Sequence, residues 1–133
     1  VRDFNVLVFL LDEGHDLVAD TLKIALYTSS ATLGAGTTAY STNNEISGTG
    51  YSAGGVTLTN KVVSTTGTTA HFDADDPTWT GASFTANGAL IYNSTNSDKA
   101  IAVLAFGGDF TVASGTFRIV FPAAGATGII RID

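Results

Sequence analysis

The run His71-Phe72-Asp73-Ala74-Asp75-Asp76 gathers an imidazole and three carboxylates into six residues, the densest group of chemically capable side chains in the sequence. On a strand, His71 and Asp73 share a face, and Asp75 and Asp76 follow at the turn. Crowded oxygen ligands of this kind suit a hard cation such as calcium. The run lacks the glycine and the distal glutamate of an EF-hand loop, however, and Pro77 follows at once. Asp73, Asp75 and Asp76 therefore read more simply as a solvated strand end with turn-forming aspartates. Asp12, Glu13, Asp16 and Asp20 surround Gly14 and His15 in a second acidic patch, which reads as an exposed loop. No metal and no cofactor is expected.

Nucleophilic catalysis has less support. There is no G-x-S-x-G elbow, and each of the two histidines lacks a nearby candidate nucleophile. A carboxylate pair could serve glycoside hydrolysis, but one Trp and four Tyr make a thin sugar platform. The glycines at 48, 50, 54 and 55 are followed by neither a P-loop lysine nor a helix, so loop geometry explains them better than phosphate binding does. No catalytic residue is assigned and no enzyme is expected. Trp79, between Pro77 and Thr80, fits either a plug in a core or an anchor in an interface.

The elements that would position these residues are strands. In Phe4 to Leu11 both faces are apolar, which suits a central strand or one covered by another subunit. Thr21 to Thr28 sets Leu22, Ile24 and Leu26 inward and predicts a wet face carrying Lys23, Ala25 and Tyr27. Val56, Leu58 and Val62 alternate with polar residues. Thr65-Thr66-Gly67 reads as a hairpin turn before Thr68 to Asp73, and Asn87-Gly88 as another between Ala82 to Ala86 and Ala89 to Asn93. Asn93 to Asp98 is a polar surface loop. Ala100 to Phe106, apolar on both faces, suits a central strand. Phe117, Ile119 and Phe121 face inward until Pro122 ends their strand, and Ile130 to Ile132 form a last short one. Glu45 is placed as the cap of a brief helical turn near Thr42 to Ile46. The expected core is Leu22, Ile24, Leu26, Phe72, Phe84, Leu104, Phe117 and Ile119.

Eight to ten short strands without helices predict an all-β, single-domain antiparallel β-sandwich spanning residues 1 to 133, jelly-roll-like in topology. A chain of 133 residues and 13.6 kDa, 44% hydrophobic and 14% charged, can bury a core without disulfides. It has no cysteine, which removes thiolate chemistry and Cys-based zinc sites. A formal charge of −6 repels a phosphate backbone, so direct nucleic-acid binding is not expected. The apolar runs fall far short of the roughly 18 residues that cross a bilayer, and no leader-like basic and apolar stretch precedes the first strand.

Five segments carry a resemblance: EISGTGYSAGGVTL (Glu45 to Leu58), DPTWT (Asp76 to Thr80), GALIYN (Gly88 to Asn93), AIAVLAFGGD (Ala100 to Asp109) and GTFRIVFP (Gly115 to Pro122). In this order they resemble small structural proteins of tailed bacteriophages, of the type that cement or decorate the capsid. The resemblance implies a non-enzymatic virion protein on the capsid exterior, assembled in the host cytoplasm. Its implied partners are the major capsid protein and further copies of itself, with no nucleic acid and no membrane. A tail- or fibre-associated module that binds a receptor or carbohydrate is the alternative.

Overall fold

The structure is a computed structural model and describes residues 16–34, 36–66, 69–121 and 130–132. Its strands are β1 (Leu22–Tyr27), β2 (Val56–Thr57), β3 (Val62–Thr66), β4 (Thr69–Asp73), β5 (Thr78–Asn93), β6 (Lys99–Arg118) and β7 (Ile130–Ile132). They pair antiparallel in two sheets, ordered β2-β1-β5-β6 and β3-β4-β7. The chain is all-β, as its alternating segments predict. The expected strand at Phe4 to Leu11 lies outside the described residues.

β1 forms where the sequence places it and pairs with β5 from Leu22 opposite Asn93 to Tyr27 opposite Gly88. Leu22, Ile24 and Leu26 are fully buried, each side chain stabilising the fold by roughly 1.5–3 kcal/mol relative to exposure. The predicted wet face of β1 is incorrect, because Ala25 and Tyr27 are buried too. The chain beyond β1 folds back over them, and Ala31, Leu33 and Tyr40 pack against Ala25, Tyr27, Leu90 and Tyr92. An alternation of apolar and polar residues identifies the strand but not the coil that covers its second face.

β5 and β6 replace several short strands by one long hairpin. The sequence places a turn at Asn87-Gly88, yet β5 runs unbroken from Thr78 to Asn93 with both residues inside it. Gly88 is required there for another reason. A Cβ at this position would stand 3.0 Å from the Leu104 carbonyl oxygen, so the glycine lets β6 approach. The true turn is the polar loop after Asn93, as predicted. β6 likewise absorbs both Ala100 to Phe106 and the start of the segment around Phe117. It is an edge strand among the described residues rather than the central strand expected from its two apolar faces.

The three-stranded sheet follows the sequence more closely. β3 and β4 form the predicted hairpin, with Thr66 opposite Thr69, and β7 adds to β4 with Ile130 opposite Phe72. Val62, in the alternating segment, is 48% exposed. The main core joins Leu22, Ile24, Leu26, Leu58, Phe72, Trp79, Ala82, Phe84 and Ile91. Leu104, Phe117 and Ile119, assigned to the core, pack against it but are only partly buried.

Candidate interaction surface

The side chains capable of chemistry fall into three groups, of which the acidic run is the first. Asp73 Oδ1 accepts the Ala74 N–H at 2.8 Å, and Asp76 Oδ1 accepts the Phe121 N–H at 2.9 Å. Asp75 Oδ2 accepts from the Asn60 side-chain amide and, at 3.5 Å, from the Thr59 hydroxyl. Asp75 and Asp76 thus each hold a different neighbouring segment of chain, whereas Asp73 caps the residue after it. Among the described residues no three His, Asp or Glu side chains converge on a cation position. In the second patch, Asp16 Oδ1 accepts the N–H groups of Val18 and Ala19, and Asp20 Oδ2 accepts from the Asn93 amide at 2.8 Å. These are turn caps and loop ties. Asp12, Glu13 and His15 lie outside the described residues.

The second group surrounds Glu45, expected as a helical cap. Residues 42 to 45 make one turn, Glu45 N–H donating to the Thr42 carbonyl at 3.2 Å, without a helix. The Glu45 carboxylate instead receives three donors. Tyr40 Oη donates to Oε1 at 2.6 Å, while the Gly54 N–H at 2.7 Å and Tyr51 Oη both donate to Oε2. Tyr51 Oη also accepts the Leu26 N–H at 3.0 Å, at the end of β1. Tyr92 Oη donates to the Gly54 carbonyl at 2.7 Å, and Tyr27 Oη donates to the Ser41 carbonyl at 2.7 Å. All four tyrosines of the chain therefore clasp the loop from residue 41 to 55 onto β1 and β5.

The clasp keeps its phenols protonated. Burial first, then the hydrogen bond to Glu45, hold the Tyr40 and Tyr51 phenols far above the ordinary value near 10. Burial and the negative charges of Asp98 and Glu45 push Tyr92 up to about 12. Burial raises Tyr27 as well. A phenol that cannot ionise here is a poor proton carrier near neutrality, and its geometry is that of a structural tie. Tyr40 and Tyr92 also stack, with centroids 4.6 Å apart.

The third group is aromatic and lies on β6. Between the pairs Gly88–Ala105 and Ala86–Phe110, β5 advances two residues while β6 advances five, so Phe106 to Asp109 bulge from the ladder. Gly107 takes a φ of +81°, and Asn87 Nδ2 donates to Asp109 Oδ1 at 2.9 Å, fixing the excursion. A second irregularity places Ser114 at a φ of +51°, its N–H donating to Ser83 Oγ at 2.8 Å. The outcome is a continuous ladder of rings. Phe117 lies 5.8 Å from Trp79, 5.2 Å from Phe84 and 6.2 Å from Phe106, which meets Phe110 edge-on at 6.0 Å.

This ladder begins in the core and ends in solvent. Trp79 and Phe84 are buried, Phe117 is partly so, and Phe110 is 53% exposed. Beside it opens a recess of about 230 Å³ lined by Phe106, Phe110, Phe117, Arg118 and Ile119. Val120, just beyond, is 65% exposed. Trp79 is a core residue, although its indole N–H is buried without an acceptor. Farther along the same strand, Leu33, Gly34 and Thr37 face Ala100 to Val103 across an open groove. At its end the Ala100 N–H donates to the Thr38 carbonyl at 2.9 Å.

Sequence reasoning reached neither the clasp nor the recess. The signal for the clasp was present in the glutamate that opens the glycine-rich run and the tyrosine six residues later, but only the fold brings Tyr40 and Tyr92 to them. For the recess the signal was Phe106-Gly-Gly-Asp-Phe110, a pair of aromatics around two glycines and a charge. No family model, curated protein or solved structure matches this chain.

Proposed function

We propose that this protein is a non-enzymatic structural component of a bacteriophage particle that binds the assembled capsid shell and stabilises it. The observation that carries the reading is the aromatic recess on β6, where a core ring ladder continues into solvent at Phe110. Apolar surface rimmed by polar residues marks a place where another protein packs. Among the described residues, Glu45 in the tyrosine clasp, Asp76 on Phe121 and Asp75 on the Thr59 loop act as ties. Binding by surface burial needs no catalytic group, and the five phage-like segments supply the expectation of what is bound. On this reading the two sheets are the halves of a β-sandwich related to a jelly roll, a fold whose flat faces suit packing on other β proteins.

Cementing is then mass action. A ligand that binds only the intact shell raises the free energy needed to break it. The test is co-sedimentation of the protein with purified assembled shells and, separately, with free capsid subunits, over a range of salt. Shell binding that exceeds subunit binding and persists at moderate salt is expected, because screening weakens exposed charge pairs more than apolar contact. Equal binding to both, or attachment only to tails or to a carbohydrate receptor, would replace this reading with the receptor-binding alternative.

A further inference from the structure

We infer that Lys61 and Asn93 join in an intramolecular isopeptide bond, which the chain makes on itself with Asp20 as the proton carrier. Such a bond needs an amine, a carboxamide whose oxygen is held by donors, and a carboxyl group that moves protons between them. All three meet at the end of β5. Asn93, its last residue, is fully buried, and Asn93 Oδ1 accepts the N–H groups of Thr95 at 3.0 Å and Asn96 at 3.2 Å. On its other side, Asn93 Nδ2 donates to Asp20 Oδ2 at 2.8 Å. Lys61 Nζ donates to the main-chain carbonyl of the same Asp20.

Each contact fits one part of an acyl transfer. The turn after β5 aims two backbone N–H groups at the oxygen that gains negative charge when an amine attacks Cγ, and donors fixed in advance stabilise that charge. They also set which way the amide faces, because the N–H pair takes the oxygen and the carboxylate takes the nitrogen that must leave. Lys61 Nζ and Asn93 Nδ2 end on oxygens of one residue, and the flexible four-carbon stem of lysine carries its amine from the Asp20 carbonyl to Asn93 Cγ by rotation.

The atoms balance without an oxidant, reductant or co-reactant. Nζ gives one proton to the Asp20 carboxylate before it attacks and a second afterwards, Asp20 protonates Nδ2, and the Cγ–Nδ2 bond breaks as the Nζ–Cγ bond forms. Ammonium leaves, carrying both protons that Nζ has lost. The event happens once per chain and turns over no substrate. Lys61 directly precedes β3 of the three-stranded sheet, and Asn93 closes β5 of the four-stranded sheet, so the bond ties the two sheets covalently. In a chain without cysteine it does what a disulfide would, holding the loop from 61 to 93 closed in the unfolded chain as well. The inference stands apart from the shell reading, since the isolated protein tests it.

The experiment is the mass of the denatured full chain, followed by tandem mass spectrometry of a tryptic digest. The wild type should be lighter than its sequence by one ammonia, and trypsin should fail to cut after Lys61, leaving residues 24 to 99 as one looped peptide. Lys61→Arg and Asp20→Asn, with folding checked by far-UV circular dichroism, should each show the full mass of its own sequence. A wild type at its full sequence mass overturns the inference, whether or not the variants fold. A loss of ammonia that persists in Lys61→Arg overturns it too, because the ammonia then comes from cyclisation of an asparagine such as Asn87 before Gly88. If Asp20→Asn still forms the looped peptide, the role given to Asp20 is wrong.

Discussion

The two flanks of the four-stranded sheet differ in a single functional group. On the β1 flank the aromatic residues are tyrosines, and every hydroxyl is bonded, to Glu45, Ser41 or Gly54. On the β6 flank they are phenylalanines at 84, 106, 110 and 117 around Trp79, whose indole N–H bonds no loop among the described residues. A tyrosine hydroxyl can satisfy a loop's backbone groups and so let irregular chain lie against a sheet without orphaned donors. The glycine-rich loop is held down this way. Phenylalanine offers loop backbone nothing but area, and the β6 flank stays partly bare. The difference teaches that hydroxyls decide which flank the chain closes over itself and which remains available to another molecule.

Alanine at the glycines of the two flanks should expose the contrast most strongly. Gly55 has a φ of +78°, and a Cβ there would lie 1.7 Å from the Ile24 carbonyl oxygen, within β1. Gly107 has a φ of +81° with nothing within 4 Å of its Cβ position. Gly55→Ala must move backbone and should cost at least about 4 kcal/mol or prevent folding, whereas Gly107→Ala carries only the left-handed penalty of about 1–2 kcal/mol. Denaturant unfolding measures both. Equal losses would show that the loop is not clamped onto β1.

Next in size is the core at the root of the ring ladder. Phe84 is 7% exposed, and Phe84→Ala should cost about 3–5 kcal/mol. Phe117→Ala should cost less than Phe84→Ala, because Phe117 is only partly buried. A reversed order in urea midpoints would place the centre of the core on the open flank.

The clasp comes third. Glu45→Gln keeps the size of the side chain but replaces one accepting oxygen by an amide donor facing groups that already donate. A loss of about 1.5–3 kcal/mol is expected, the range for hydrogen bonds to a charged partner. Alkaline pH tests the same clasp. The folded-state phenols have raised values, so the folded chain keeps protons that the unfolded chain releases. Stability is then fully present below pH about 10 and falls as pH rises through 10 toward 12 and beyond. Phenolate absorbance should appear together with unfolding. Tyrosines that ionise near 10 in a protein still folded would mean that the clasp is open.

Legibility in the sequence followed range. The inward residues Leu22, Ile24, Leu26, Phe72 and Phe84 were readable, because a period of two reports burial against a facing layer. The wet face assigned to Ala25 and Tyr27 was not, since coil covers it, and coil has no period. Asn87-Gly88 carried a strong local turn signal and failed as one, because closeness to Leu104, a distant residue, governs that glycine. Ala100 to Phe106 looked central by composition, but position in a sheet is set by pairing. The acidic run at Asp73, Asp75 and Asp76 was read as turn-forming, whereas Asp75 and Asp76 bond Asn60 and Phe121, distant in sequence, which local patterning does not report. Glu45 was the hardest case, for only the fold brings Tyr40, Tyr51 and the Gly54 N–H to its carboxylate, with Tyr92 joining through the Gly54 carbonyl.

The smallest effect is expected at the tip of the ladder. Phe110 is 53% exposed and touches the molecule mainly through the edge of Phe106, 6.0 Å between centroids. Phe110→Ser removes apolar area that is largely wet in both the folded and the unfolded chain, so unfolding of dilute protein should change by no more than about 1 kcal/mol. Binding to assembled shells is a separate matter, because ring area left in water by folding is still available to be buried by a partner. If the open flank is the docking surface, this variant should lose shell affinity while retaining its thermal midpoint. The opposite result, a lowered midpoint with unchanged shell binding, would show that Phe110 serves the fold, and that both flanks are closed.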